Sequence, residues 1–181
     1  MISKHFRPKN SYSLVRIGPK NQSGFVLEKI SFNKANFLVS MGLATNIDFE
    51  IDFYKKKNCK IHCYDHTINK SFWRRANFEN IALLIFRIIT LNFKKIKLNF
   101  ARYKKYKQFL KFFRNKKIKH FEEAVGFGKY GVSFKQTVKR TSSKNILFKI
   151  NIEGFEYRIL DEIVKYKKNI CGLVIEFHNA D

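Results

Sequence analysis

Four short apolar runs, "NFLVSMG", "CKIHCYD", "NILFKIN" and "CGLVIEF", limit what this chain can fold into. Each is too short for a helix, and the first is apolar at consecutive positions, as in a strand buried on both faces. "KHFEEAVG" reads as one more strand between the second and third of these. Between the runs, apolar residues recur at helical spacing: Ile47, Phe49 and Phe53 ahead of the basic stop "KKKN", then "NIALLIFRIITLNF", then "EYRILDEIVKY". Parallel strands need long crossover connections, so this alternation predicts an α/β fold: a mostly parallel sheet with helices on both faces. At 181 residues there is room for one well-buried domain and not for two of ordinary size.

Ahead of the first run, "SYSLVRIGPKNQSGFVLEK" reads as two short strands, Leu14–Ile17 and Phe25–Leu27, around the turn dipeptides Gly18-Pro19 and Ser23-Gly24. This is an N-terminal hairpin extension within residues 1–34. The middle of the chain is different. No Asp or Glu occurs from Asn80 to Phe121, and Lys94–Lys119 holds 12 Lys or Arg. Tyr103, Tyr106, Leu110 and Phe113 draw an apolar stripe through it, so "ARYKKYKQFLKFFRNKK" reads as a cationic amphipathic helix. Residues 72–119 are thus a basic helical region, and Arg102–Lys117 a surface suited to anionic lipid or nucleic acid. A net charge of +23 favours such a partner. Yet 28 Lys, 16 Asn and 20 Phe against 7 Ala, 8 Gly and 2 Pro is also the usage of an AT-rich coding sequence, which explains the charge without a partner.

Cys59, Cys63 and Cys171 cannot all pair within one chain, and no CxxC occurs. Strand alternation sends Cys59, Ile61 and Cys63 to one face and His62 and Tyr64 to the other, which is no arrangement for a zinc site. Free thiols in a reducing cytosol are expected. The apolar "NIALLIFRIITLNF" is broken by Arg87 and falls short of the roughly 18 residues of a spanning helix. "MISKHFRPKN" lacks the apolar core of a secretion signal, so the expected location is cytoplasmic.

In an open parallel sheet, ligands bind beyond the carboxyl ends of the strands. Those ends carry Ser40, Gly42 and Leu43; Asp65 and His66; Asn151, Glu153 and Gly154; and Glu176 and His178. Gly42 permits a sharp turn and a close approach to the backbone. Asp65, at the tip of the second strand, is placed to accept hydrogen bonds from two ribose hydroxyls. "SMGLATN" lacks the second glycine that admits a pyrophosphate, so a nucleoside without phosphates, such as S-adenosylmethionine, suits the loop better than a dinucleotide. The plainer alternative is a glycine that ends a strand and an aspartate that caps the next helix.

"LVRIGPKNQSGFVL", "LVSMGLATNIDFE", "IHCYDHT", "FKINIEGFEYRIL" and "LVIEFHNAD", in this order and spacing, resemble FkbM-type methyltransferases. The resemblance spans nearly the whole chain outside the basic middle. It implies a single Rossmann-like class I methyltransferase domain that uses S-adenosylmethionine to O-methylate a sugar, glycan or other small molecule. It further implies that Ser40, Gly42 and Leu43 cradle the methionine part of the cofactor and that Asp65, with His66 beside it, holds the ribose. Three departures stand out. Asn151 occupies a position usually aspartate, "QSGF" stands for D-G-G-Y with Gln22 and Ser23, and the two further strands usual after the fifth are missing before Asp181. For the base that removes the acceptor proton, His178 is the first candidate, because an imidazole exchanges a proton near neutral pH, and Glu153 the second. Asn151 can orient a substrate but cannot act as a base. The alternative reading is an inactive or truncated relative that serves as a basic binding module.

Overall fold

The computed structural model of the chain describes residues 12–20, 24–128 and 131–178. Gln22, Ser23 and Asp181, singled out above, lie outside these residues. Among the described residues the elements run β1 (Leu14–Ile17), β2 (Phe25–Glu28), α1 (Lys29–Lys34), β3 (Phe37–Met41), α2 (Asp48–Lys57) and β4 (Lys60–Tyr64). There follow α3 (Lys70–Ile89), α4 (Phe93–Phe113), β5 (Ile118–Phe121), α5 (Phe134–Thr141), β6 (Ile146–Ile150), α6 (Glu156–Lys165) and β7 (Ile170–Ile175).

β1 and β2 pair antiparallel, and the other strands form one parallel sheet in the order β5-β4-β3-β6-β7. The chain builds outward from β3 to β5, then returns to β3's other side with β6 and β7. That reversal leaves a crevice between the carboxyl ends of β3 and β6, where open α/β sheets bind ligands. The architecture is α/β, a five-stranded parallel sheet flanked by helices, and is compatible with a Rossmann-like fold.

Both sheet faces are covered, as continuous apolar runs require. Leu38, Ile61 and Leu147 pack with Phe49 and Phe53 of α2 and Phe109 of α4 on one side. Val39, Phe148 and Ile150 pack with Phe134 and Val138 of α5 and Ile159 and Ile163 of α6 on the other. Alternation in β4 runs as the sequence implies: Cys63 joins the first cluster and Tyr64 the second. His62 lies edge-on to Phe37 and Phe121 at 4.7 and 5.0 Å. Burial raises the thiol pKa of all three cysteines, most of all at Cys63, where Glu50 adds to it. The three are unpaired.

α5 has a sequence signal that the reading above leaves unused. Ser133 and Gln136 form a reciprocal capping box: the Ser133 hydroxyl accepts from Gln136 N–H at 3.2 Å, and Gln136 Oε1 accepts from Ser133 N–H at 2.8 Å. The basic middle is a helical hairpin, α3 and α4 joined across Thr90–Asn92. Tyr106, Leu110 and Phe113 are half-buried beside the fully covered Phe109 and Phe112, while Tyr103 stays exposed. The apolar stripe of Arg102–Lys117 is therefore core packing from Tyr106 onward, while Tyr103 and the cationic side face water. α4 is the crossover into β5: Asn115 Nδ2 donates to Tyr54 Oη at 2.7 Å near its end, and Gln108 Nε2 donates to Asp48 Oδ1 at 3.1 Å. Asp48 opens α2 at the sheet's carboxyl rim, so residues 93–107, about 22 Å of helix at 1.5 Å per residue, lie on the rim side of that contact. Among the described residues no helix is long and apolar enough to cross a membrane.

Candidate functional site

A cavity of about 670 Å³ opens at the carboxyl ends of β3, β4 and β6. Gly42, Leu43, Asp65, His66, Asn151 and Glu153 all line it. Of the eight residues to which the sequence gives a role, six come to one place. Ser40 and His178 are not in the wall.

Ser40 acts from beneath. It is fully buried in β3, and its hydroxyl donates to Glu50 Oε1 at 2.5 Å. Glu50, on α2, is fully closed from solvent yet contributes to the cavity wall, and its Oε2 has no hydrogen-bond partner among the described residues. Lys149, next to last in β6 and paired in register with Ser40, places Nζ 3.6 Å from Glu50 Oε1 and donates to Gly42 O at 2.6 Å. Ser40 and Lys149 both hold Oε1, which leaves Oε2 as a buried oxygen without a donor; such an oxygen is costly and suits a cationic or donor group. Neither Glu50 nor Lys149 was singled out from sequence. The signal was there: a serine, a glutamate and a lysine at positions where the strand and helix patterns demand apolar side chains.

Gly42 has φ +75°, and a Cβ there would lie 1.6 Å from Asn151 O. What the missing side chain admits is the backbone leaving β6. Asp65 has a different task from the one its position suggests. Its Oδ2 accepts from Leu43 and Ala44 N–H at 2.8 and 3.0 Å. Its Oδ1 accepts from Thr67 N–H, Thr67 Oγ1 and Ile68 N–H at 2.8, 2.6 and 3.2 Å. A carboxylate offers about four lone-pair sites, so five intrachain donors leave no free capacity for a ribose diol. Burial alone would raise the Asp65 pKa, but the hydrogen bonds from Thr67, Ala44 and Leu43 outweigh it and hold the carboxyl below its ordinary range. Asp65 ties the loop after β3 to the loop after β4; the plainer alternative of a local cap describes part of this.

Beyond β6, the turn "NIEGFE" is held by a residue outside the reading above. Glu156, fully buried, accepts from Ile152 N–H at 2.7 Å and Gly154 N–H at 2.8 Å, and its Oε1 lies 3.1 Å from His178 Nδ1. His178 is therefore directed at this turn and not at the cavity. Asn151 donates to Glu176 Oε2 at 2.7 Å, so amide and carboxylate form one polar edge of the wall. Glu153, at φ +56°, extends an exposed carboxylate along that wall and has no hydrogen bond or ion pair among the described residues. The Phe127 and Phe155 rings lie 4.9 Å apart and His66 6.2 Å from Phe127, so three rings contribute to the lining.

Compared with protein-family models, with curated proteins and with solved structures, the chain matches none of them.

Proposed function

We propose that the cavity binds S-adenosylmethionine and that the chain transfers its methyl group to a hydroxyl of a sugar, glycan or other small molecule, as a class I methyltransferase does. The observation that carries this reading is Glu50: a buried carboxylate with one unused oxygen at the floor of a crevice where β3 and β6 diverge. The residues present fit such a ligand. Glu50 Oε2 would take the ammonium of the methionine part, with Lys149 beside it for the carboxylate. Of the aromatic rings in the wall, His66, Phe127 and Phe155, any one could stack on the adenine, since they are tilted to one another by 44° and 32°. The ribose would have to meet groups other than a free Asp65 carboxylate.

Bound, S-adenosylmethionine supplies an electrophilic methyl group on sulfur. The chain's part is to hold the acceptor oxygen in line with it and to take up the hydroxyl proton. Glu153 has the position for the second task, since its carboxylate lines the cavity unpaired. Asn151 can accept or donate, and Glu176 can accept, hydrogen bonds that orient the acceptor. His178 would act through Glu156, by fixing the turn that presents Glu153.

Titration calorimetry of the full chain with S-adenosylmethionine tests the proposal. Saturable binding is expected, weakened about tenfold or more in Glu50→Gln, the usual loss when a charge-assisted hydrogen bond is removed. Absence of heat at millimolar ligand with a folded chain would sink it. The second reading, a basic module for an anionic surface, has its own observation in the exposed α3–α4 hairpin.

A further inference from the structure

A helical hairpin in a folded domain ordinarily buries the seam between its helices. In α3–α4 the fully buried apolar contacts are at the base, where Trp73 lies 5.9 Å from Tyr106 and 4.9 Å from Phe109, and higher up Leu84 and Ile96 are only half-buried. At mid-height the seam is polar. Asn99 Nδ2 donates to Asn80 O at 2.7 Å, Asn80 Nδ2 donates to Asn99 O at 3.1 Å, and Arg87 reaches Lys95 O and Asn99 Oδ1. Beyond this clasp the large apolar residues face outward: Phe86 is 62% exposed, Ile89 75%, Leu91 70% and Phe93 64%. The patch lies on the part of the hairpin farthest from the sheet, and among the described residues no other element covers it.

From Asn80 to Phe113 there are nine Lys or Arg and no acid, and Lys94, Lys95 and Lys97 are exposed next to Phe93. That charge selects among possible occupants. A second copy of the hairpin would bring another nine cations against the first. Nucleic acid would satisfy the lysines and could stack on Phe86 and Phe93, but it would leave the aliphatic Ile85, Ile88, Ile89 and Leu91, all more than half exposed, in water. An anionic bilayer satisfies both features, since basic side chains meet the headgroups while apolar ones enter the acyl boundary by about 5–10 Å. We infer that the tip of the α3–α4 hairpin, from Ile85 to Phe100, docks into the interface of an anionic lipid membrane without crossing it. Docked this way, the hairpin holds the cavity rim toward the membrane, outside the headgroup layer. The inference is independent of the cofactor reading, because it uses no residue of the cavity.

Flotation of the full chain with phosphatidylcholine vesicles containing phosphatidylglycerol, and with pure phosphatidylcholine vesicles, tests it. Binding to the anionic vesicles alone is expected, weakened about tenfold or more in Ile89→Ser/Leu91→Ser, whose exposed positions leave the fold intact by circular dichroism. Lys94→Glu/Lys95→Glu/Lys97→Glu should weaken it as well and flatten its dependence on salt. Vesicle binding by the serine variant equal to that of the unaltered chain would overturn the inference, as bulk charge would then suffice. So would binding to duplex DNA that the serine variant loses as fully as vesicle binding, or a lipid-free dimer that the serine variant abolishes.

Discussion

Lys149 Nζ stands 3.6 Å from Glu50 Oε1 with both side chains closed from solvent, and the pair closes the bottom of the cavity. Removing one member of a buried ion pair leaves the other uncompensated, at a cost of about 3–5 kcal/mol. Lys149→Met should therefore destabilise the chain by that order in urea unfolding. Glu50→Gln, which keeps the Ser40 contact, should cost less. The double variant should recover part of the loss, because no unpaired charge remains, while ligand binding stays weak.

Gly42 separates two explanations of a glycine at a strand mouth. With φ +75° and Asn151 O at 1.6 Å from a would-be Cβ, Gly42→Ala strains the backbone and forces β3 and β6 apart. The expected outcome is a loss of about 3 kcal/mol or more, read by thermal unfolding without any ligand. Were the glycine needed only for ligand approach, the alanine chain would unfold at the original midpoint and lose binding alone.

His62 makes stability depend on pH. Burial, reinforced by Lys119, Arg140 and Lys60, lowers its pKa from 6.5 to about 4. Between those values the unfolded chain binds more protons than the folded one, so stability is fully present above pH 6.5 and is lost as pH falls toward 4. The loss reaches about 3 kcal/mol at most, at 1.36 kcal/mol per unit. Burial also lowers the pKa of His120, in the same direction. Unfolding free energy measured across this window should fall more steeply for the unaltered chain than for His62→Phe, whose ring fits between Phe37 and Phe121.

The order of strands and helices was legible because burial on two faces writes continuous apolar runs, and "FLVSM", "IHCY" and "ILFKI" appear as β3, β4 and β6. The rim was legible for the same reason, since polar residues that end such runs must lie at the strand mouths. Partners were not. Asp65 has the right place for a ribose, but its oxygens are filled by N–H groups from two loops whose path depends on the assembled sheet. Glu50 and Lys149 stand 99 positions apart in the chain, and only the β3–β6 pairing brings them together. The hairpin's exposed tip was hidden for a related reason: periodicity reports an apolar face, not whether anything covers it.

Glu153 and His178 are distinguishable by experiment, because they do different work at one turn. Glu153 lines the cavity without a partner, while His178 Nδ1 lies 3.1 Å from the buried Glu156. If Glu153 takes up the acceptor proton, Glu153→Gln leaves folding and cofactor affinity unchanged and lowers the transfer rate about 10²–10⁴-fold, the usual worth of a general base. His178→Gln, which keeps a hydrogen-bonding group beside Glu156, should keep most of the rate. Glu156→Ala should lose both stability, by about 1–3 kcal/mol for two backbone N–H groups left without an acceptor, and the transfer rate, because the turn carrying Glu153 is released. Single-turnover transfer from labelled S-adenosylmethionine, with binding measured separately, reads all three. A His178→Gln chain that loses transfer as completely as Glu153→Gln, while binding the cofactor normally, would move the base to the imidazole.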